Sequence, residues 1–249
     1  MNDTSSSDKK PYDYYPGHEN LEVLSQNCRF NDWMYEQAFS RLRGDVLEVG
    51  SGIGTFSEKI VRDFPHSSIT LTDLSLNYVR ILKQKFCDSN TKVSSHKLDL
   101  SSIEDYEKLG FERFDSIVAI NVLEHVENDE FVLQQLYRML KNGGTLIILV
   151  PCHKFLYNVI DAKIGHFRRY TKSDLESKIK RTQFTIDHMF YFNVLGIIGW
   201  YINGNLAKSQ EVNRMAAKLF DTIVPLLRYV EKIIGNKIGL SIVCYLLKN

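Results

Sequence analysis

The chain has 249 residues, 44% hydrophobic and 24% charged, with 31 basic and 30 acidic side chains; this is the balance of an ordinary globular protein with one elaborated domain, or at most two small ones. A net charge of +1 excludes the basic excess of a general nucleic-acid binder. The four cysteines, Cys28, Cys87, Cys152 and Cys244, are too dispersed for metal-ligand or redox spacing, which excludes a disulfide scaffold and leaves reduced thiols in a cytoplasmic setting as the expectation.

In chain order, the polar start (1–10) predicts a disordered tail and lacks the apolar segment of a signal peptide. Asn20–Ser40 predicts a helix, with Leu21, Leu24, Phe30, Trp33, Met34 and Phe39 as its apolar positions. From Asp45 onward short apolar runs alternate with amphipathic segments. They predict strands at Val46–Val49, Ser68–Thr72, Val93–Lys97, Ser116–Ile120 and Thr145–Val150, and helices at Thr55–Phe64, Leu76–Phe86, Ile103–Leu109 and Asp129–Leu140. Strands alternating with helices imply right-handed crossovers and an α/β fold, a parallel sheet with helices on both faces.

"KNGGT" (Lys141–Thr145) predicts a helix stop and a turn. Thr171 with Asp174 predicts a capping-box start for a helix at Lys172–Arg181. Phe184–Asn193 and Leu240–Lys248 predict two last strands. The stretch 194–238 between them is far longer than a hairpin needs. Phe220, Ile223, Val224, Leu227, Val230 and Ile234 repeat at helical spacing and make it an apolar helical insert. The apolar run Val194–Ile202 falls short of the ~18 residues a membrane span needs, so no transmembrane segment is expected.

The most specific stretch is "VLEVGSGIGTFS" (Val46–Ser57). A strand, a glycine-rich turn and a helix allow a ligand to approach the backbone and present free N–H groups to it. Asp73 ends the second strand, where a carboxylate accepts from both hydroxyls of a ribose; alternatively it caps the next helix. Asp99 ends the third strand, placed for an adenine amino group or for a cap of its own. Asn121, Glu124 and His125 crowd the end of the fourth. Together these tips predict a pocket for an adenosine-containing cofactor. The spacing Gly50-x-Gly52-x-Gly54, with Thr55 in the place of a third small residue, departs from G-x-G-x-x-G/A. Glu48 inside the strand would repel a diphosphate and suits a cationic ligand without phosphate. Both features argue against NAD.

"VLEVGSGIGTFS", "TDLS", "LDL" and "FDSIVAINVLEHVENDEFVLQQLYRMLKNGGTLIILVP" resemble the successive motifs of class I S-adenosylmethionine-dependent methyltransferases over Asp45–Pro151. The resemblance implies a Rossmann-like seven-stranded sheet with the last strand antiparallel. Residues 45–193 and 239–249 would form the core, 11–44 an N-terminal helical lid, and 194–238 the insert. It implies S-adenosyl-L-methionine as cofactor, held by Glu48, Gly50, Ser51, Gly52, Asp73, Leu74, Asp99, Leu100, Asn121, Val122 and Leu123. "LYNVIDAKIGHFRRYTKSDL" further resembles a bacterial small-molecule subgroup with a D…GHxRRYT block, which implies acceptors among natural-product or cell-surface intermediates.

Methyl transfer is an in-line displacement with a neutral leaving thioether, so it needs alignment and, for an alcohol or phenol, a base. His166 is the first candidate base and His153 the second; each has a loop-ordering role as its alternative. Arg168 and Arg169 are candidate clamps for an acceptor anion, or packing charges, or a partner for Asp161. Tyr14, Arg29 and Trp33 are candidate lid and substrate residues, with plain packing as the alternative for Trp33. Tyr191 and Trp200 are candidate walls of an acceptor pocket. The insert has three readings: a pocket wall, a homodimer contact, or a peripheral membrane contact. No metal is expected. The reading is therefore O- or N-methylation of a small-molecule acceptor. Its rivals are a non-catalytic cofactor-binding scaffold and a nicotinamide oxidoreductase. A nucleic-acid methyltransferase is disfavoured because "NVLE" stands where an N/D-P-P-Y tetrapeptide would be.

Overall fold

The computed structural model describes residues 17–207, 209 and 211–249; the expected disordered tail and Tyr14 lie outside the described residues. Seven strands form one sheet: β1 (Val46–Val49), β2 (Ser68–Asp73), β3 (Lys92–Lys97), β4 (Phe114–Ile120), β5 (Leu140–Pro151), β6 (Thr185–Phe192) and β7 (Ser241–Leu247), in the order β3-β2-β1-β4-β5-β7-β6. β1 to β5 pair in parallel, and β7 runs antiparallel between β5 and β6. This is the Rossmann-like sheet expected, and each predicted strand core lies inside an observed strand.

Strand periodicity divides the core. In β5, Leu146, Ile148 and Val150 face one side with Ile117, Leu133, Leu136 and Tyr170. Ile147 and Leu149 face the other with Val118, Ile69, Trp33 and Phe192. The central strands are buried on both faces, as parallel crossovers require. Helices cover both sides: α1 (His18–Ser25), α2 (Cys28–Ala38), α3 (Ser57–Asp63), α4 (Leu76–Lys85), α5 (Ile103–Leu109), α6 (Asp129–Met139), α7 (Val159–Lys163) and α8 (Lys172–Ile179). The predicted capping box of α8 is present, with Thr171 accepting from the Asp174 N–H and Asp174 from the Thr171 N–H.

Two expectations change. Asn20–Ser40 is not one helix, because the chain breaks at Gln26–Asn27 and the Asn31 amide bonds back to Leu24 O at 2.9 Å. "KNGGT" is the irregular first part of β5 rather than a free turn. Leu140 already pairs with Phe114, and the Gly143 N–H donates to Lys248 O at 2.7 Å.

The insert comprises α9 (Gly196–Trp200), a π-helical turn (Tyr201–Leu206) and α10 (Arg214–Ile234). α10 buries Ala217, Val224, Leu227 and Glu231, with Phe220 meeting Phe30 of α2 edge-on at 5.4 Å. Its two acids turn inward: Asp221 accepts from the Phe30 N–H, and Glu231 from the N–H groups of Asn193 and Val194. Its outer side leaves Met215, Leu219, Leu226, Tyr229 and Ile233 exposed. Among the described residues, no helix is long and apolar enough to cross a membrane.

Candidate active site

The carboxyl ends of β1, β2 and β4 meet at the glycine turn. Gly50 and Gly52 have φ of +72° and +53°, the left-handed region that glycine enters without strain. A Cβ on Gly50 would lie 2.6 Å from Val122 Cγ2, so the loop after β4 closes directly on this turn. The Ser51 N–H donates to Thr72 O at 2.8 Å, and the Gly52 N–H to Asp73 Oδ2 at 2.9 Å. α1 lies over the turn: a Cβ on Gly52 would be 3.6 Å from Leu21 Cδ1, and His18 Nδ1 lies 2.9 Å from the Tyr78 hydroxyl of α4. Sequence reasoning did not single out His18 and read Leu21 only as an apolar helix position, since nothing in their spacing reveals which element they would touch.

Glu48 is buried under the turn, accepting from Ser57 Oγ at the start of α3. Burial pushes its carboxyl up to about 7 against the opposing effect of the Ser57 and Ser51 hydroxyls. Asp73 is raised, first by burial, although the Ser75 and Gly52 N–H groups pull the other way. Its Oδ1 accepts from Ser75 N–H at 2.9 Å, so it caps α4 and braces the glycine turn at once. Leu74 beside it is 60% exposed. Asp99 accepts from the N–H and hydroxyl of Ser101, the local cap foreseen as its alternative role; Leu100 next to it is half-buried. Asn121, at φ +52°, is exposed at the end of β4. Leu123 is 1% exposed, its side chain packed in the same core cluster as Val122.

A second polar group lies just beyond. Asp161 accepts from the Arg169 Nε–H at 3.0 Å and lies 2.7 Å from His166 Nδ1, and it accepts from the Asn158 N–H at 3.1 Å. Burial alone would raise it, but His166 and Arg169 hold it below the usual carboxylate range. Asp129 likewise stays low against burial, through Lys178, Tyr170 and Arg168. Removing one member of such a buried pair costs about 3–5 kcal/mol because the other charge is left unpaired.

These contacts bear on several of the alternatives left open by the sequence. Arg169 is buried on Asp161 and Cys152 O, under Trp200, with its guanidinium carbon 4.7 Å from the ring centroid. Arg168 is bound by Asp129 and Glu127 O. Neither guanidinium is free to clamp an acceptor, and Trp200 is spent on Arg169 and on Leu156 O. Arg29 donates to Thr222 O on α10, away from the turn, and Trp33 is a core residue against Phe192. His166 is only 9% exposed, enclosed by Asp161, Glu124 and His125, which removes it from direct contact with an acceptor.

His153 is placed differently. It follows β5 with φ +65°, its Nε2 lies 2.9 Å from Gly239 O, and its ring stacks on Tyr191 at 5.7 Å and 10°. A carbonyl oxygen only accepts, so Nε2 carries the proton and Nδ1 the lone pair. Burial first, then the Arg169 charge, hold its pKa below the ordinary imidazole value. Glu124, His125 and His166 also converge, a grouping the sequence reading did not make because His166 lies in a different loop.

A methyltransferase-domain family model matches residues 47–146. The chain is 25% identical over 201 residues to malonyl-[acyl-carrier protein] O-methyltransferase 1 of Ilyobacter polytropus, covering 74% of this chain and 73% of that protein. It is 36% identical over 104 residues to the reducing polyketide synthase Preu2 of Preussia isomera, covering 41% of this chain and only 4% of that much larger protein. Among solved structures, phosphoethanolamine N-methyltransferase 2 of Haemonchus contortus, in complex with S-adenosyl-L-methionine, has a TM-score of 0.60 at 17% identity, covering 92% of this chain and 57% of that one.

Proposed function

We propose that this S-adenosylmethionine-dependent methyltransferase passes the sulfonium methyl group to a hydroxyl oxygen of a small-molecule acceptor, with His153 as the base. The observation that carries this reading is the tautomer of His153: its Nε2–H is committed to Gly239 O, so a neutral Nδ1 is left to take a proton. The acceptor oxygen would form its bond to the methyl carbon as the carbon–sulfur bond breaks, with the electron pair leaving on sulfur. Gly50, Gly52, Asp73 and Asn121 support the cofactor side, and Tyr191 beside His153 supports the acceptor side. The O-methyltransferase among the relatives fits an oxygen acceptor of either kind, hydroxyl or carboxylate.

A second reading keeps the cofactor but needs no base, for an acceptor that is already a carboxylate. Methyl-labelled S-adenosylmethionine, offered to panels of hydroxyl and carboxylate compounds, separates the two. Turnover of hydroxyl acceptors that is lost in His153→Gln supports the first. Carboxylate turnover untouched by that substitution supports the second. Label reaching no acceptor, with S-adenosylhomocysteine still bound, would favour the non-catalytic scaffold.

The insert supports a place for the reaction at an anionic lipid surface. On α10 the exposed apolar residues are accompanied by the exposed Arg214, Lys218 and Lys232, while both of its acids accept backbone N–H groups of the neighbouring core. A helix with this division of charge lies in the plane of a bilayer interface. Sedimentation with vesicles containing anionic phosphatidylserine should retain the protein, and Leu226→Glu with Ile233→Glu should release it. A protein that dimerises through this face and ignores vesicles would overturn the lipid reading.

A further inference from the structure

We propose that Glu124, His125 and His166 form a binding site for a divalent transition-metal cation with imidazole preference, Zn2+ being the type case. The three offer one ligand atom each, all within 4.8 Å of one another, and His166 Nε2 lies 3.8 Å from Glu124 Oε1. Tetrahedral bonds of about 2.0–2.2 Å place ligand atoms roughly 3.4 Å apart, so side-chain rotations close the set without moving the backbone.

The independent observation is Glu124 itself. It is 0% exposed, and neither carboxylate oxygen has a hydrogen-bond partner. An unpaired carboxylate in the interior is costly, and native structures rarely leave one. The nearest cationic side chain does not satisfy it, because Arg169 is bound to Asp161 and Cys152 O. Arg169 and Asp161 answer each other, so neither oxygen of Glu124 is satisfied by that pair, and a dication would answer it.

The histidines are oriented for ligation. His166 Nδ1 is fixed by Asp161 Oδ1 at 2.7 Å, so Nε2 carries the lone pair that faces Glu124. His125 takes part in a hydrogen bond with the backbone of Gly165. A carboxylate or carbonyl behind each ligating imidazole is the outer arrangement that fixes tautomer and ring angle in metal sites. The rings sit 4.5 Å apart at 73°, and the Phe167 N–H to Glu124 O bond of 2.8 Å ties the two loops together. Two imidazoles and one carboxylate suit Zn2+ or another first-row cation and not Mg2+ or Ca2+, which take oxygen ligands. Three protein ligands leave a coordination position open. The site follows directly on Asn121–Leu123 and is enclosed, Glu124 being fully buried and His166 9% exposed, so a water molecule is the fitting occupant of that position. The metal site does not rest on the proposed methyl transfer.

The test uses the full chain stripped with a chelator, titrated with Zn2+ and separately with Mg2+ by calorimetry and thermal unfolding. The expected result is one Zn2+ per chain, a rise in Tm, and no effect of Mg2+. Glu124→Gln keeps the side-chain shape and removes the charge; stripped, it should melt no lower than wild type and bind Zn2+ at least tenfold more weakly. His166→Gln should lose affinity likewise. Both variants retain the exposed Cys28 and Cys87, so adventitious thiol binding cancels in the comparison. Zn2+ affinity unchanged in Glu124→Gln, or no binding by wild type, overturns the site. Binding of S-adenosylhomocysteine to the stripped chain, measured alongside, reads the cofactor site separately, so its loss would count against the methyl-transfer reading and not against the metal.

Discussion

The Asp73 carboxylate accepts the backbone N–H of Gly52 at 2.9 Å, so the tip of the second strand holds the turn that follows the first. The same side chain caps α4 through Ser75, and its position at the strand end suits a ribose diol. Asp73→Ala should weaken S-adenosylhomocysteine binding by at least ~1 kcal/mol, the lower range for hydrogen bonds to a charged group. Calorimetry checks it, and an unchanged dissociation constant would remove Asp73 from the cofactor site. Asp73→Asn retains one acceptor oxygen and should lose less.

The approach of Val122 to Gly50 makes a second pair testable. Gly50→Ala meets two penalties: a left-handed backbone, costing about 1–2 kcal/mol for a residue with a Cβ, and overlap with Val122 Cγ2. Val122→Ala removes only the second. The double variant should therefore be more stable than the sum of the two single losses predicts, by roughly 1 kcal/mol or more. Additive losses in urea unfolding would show that the loop after β4 does not press on the turn.

The strands and the glycine turn were legible because their signals are local. Val46–Val49 is apolar except for Glu48, and Asp73 directly follows the alternating, β-branched run Ser68–Thr72. The capping box at Thr171 and Asp174 was legible for the same reason. What escaped depends on which segments meet. Arg168 and Arg169 read from sequence as acceptor clamps or packing charges, with Asp161 a possible partner for one of them; only the fold shows that Arg169 takes Asp161 and that Asp129, from another element, takes Arg168. His166 has a suitable base-like chemistry, yet only the fold shows that Glu124 and His125 enclose it. Trp33 reads more readily as core than as lid, and only the fold shows that Phe192 is the ring it packs against.

Glu48 makes stability depend on pH in a definite direction. Its pKa is raised from 4.5 to about 7 in the fold, so the native state binds more protons than the unfolded chain between these values. Its contribution is then most favourable below about pH 4.5 and is lost as pH rises through 7. Glu48→Gln cannot ionise and should escape this loss, gaining up to about 3 kcal/mol over wild type at pH 8 and little at pH 4.5. Urea unfolding across that range measures the difference. A gain equal at both ends would show that the carboxyl is not perturbed. A cationic cofactor should also draw a proton from Glu48 at pH 7, seen as a buffer-dependent enthalpy of binding.

His153 gives the rate its own pH dependence. Its pKa lies below the ordinary imidazole value of about 6.5. A base must be neutral to act, so turnover of a hydroxyl acceptor should be flat through pH 7 and fall only as pH drops beneath 6.5. His153→Gln retains a group able to donate to Gly239 O but offers no comparable base. It should lower kcat about 10²–10⁴-fold, the usual contribution of general base catalysis. S-adenosylhomocysteine affinity should stay unchanged, since the ring contacts Tyr191 and Gly239 and not the glycine turn. A variant that retains kcat and the same acidic limb would show that the proton goes elsewhere and that His153 only shapes the loop after β5.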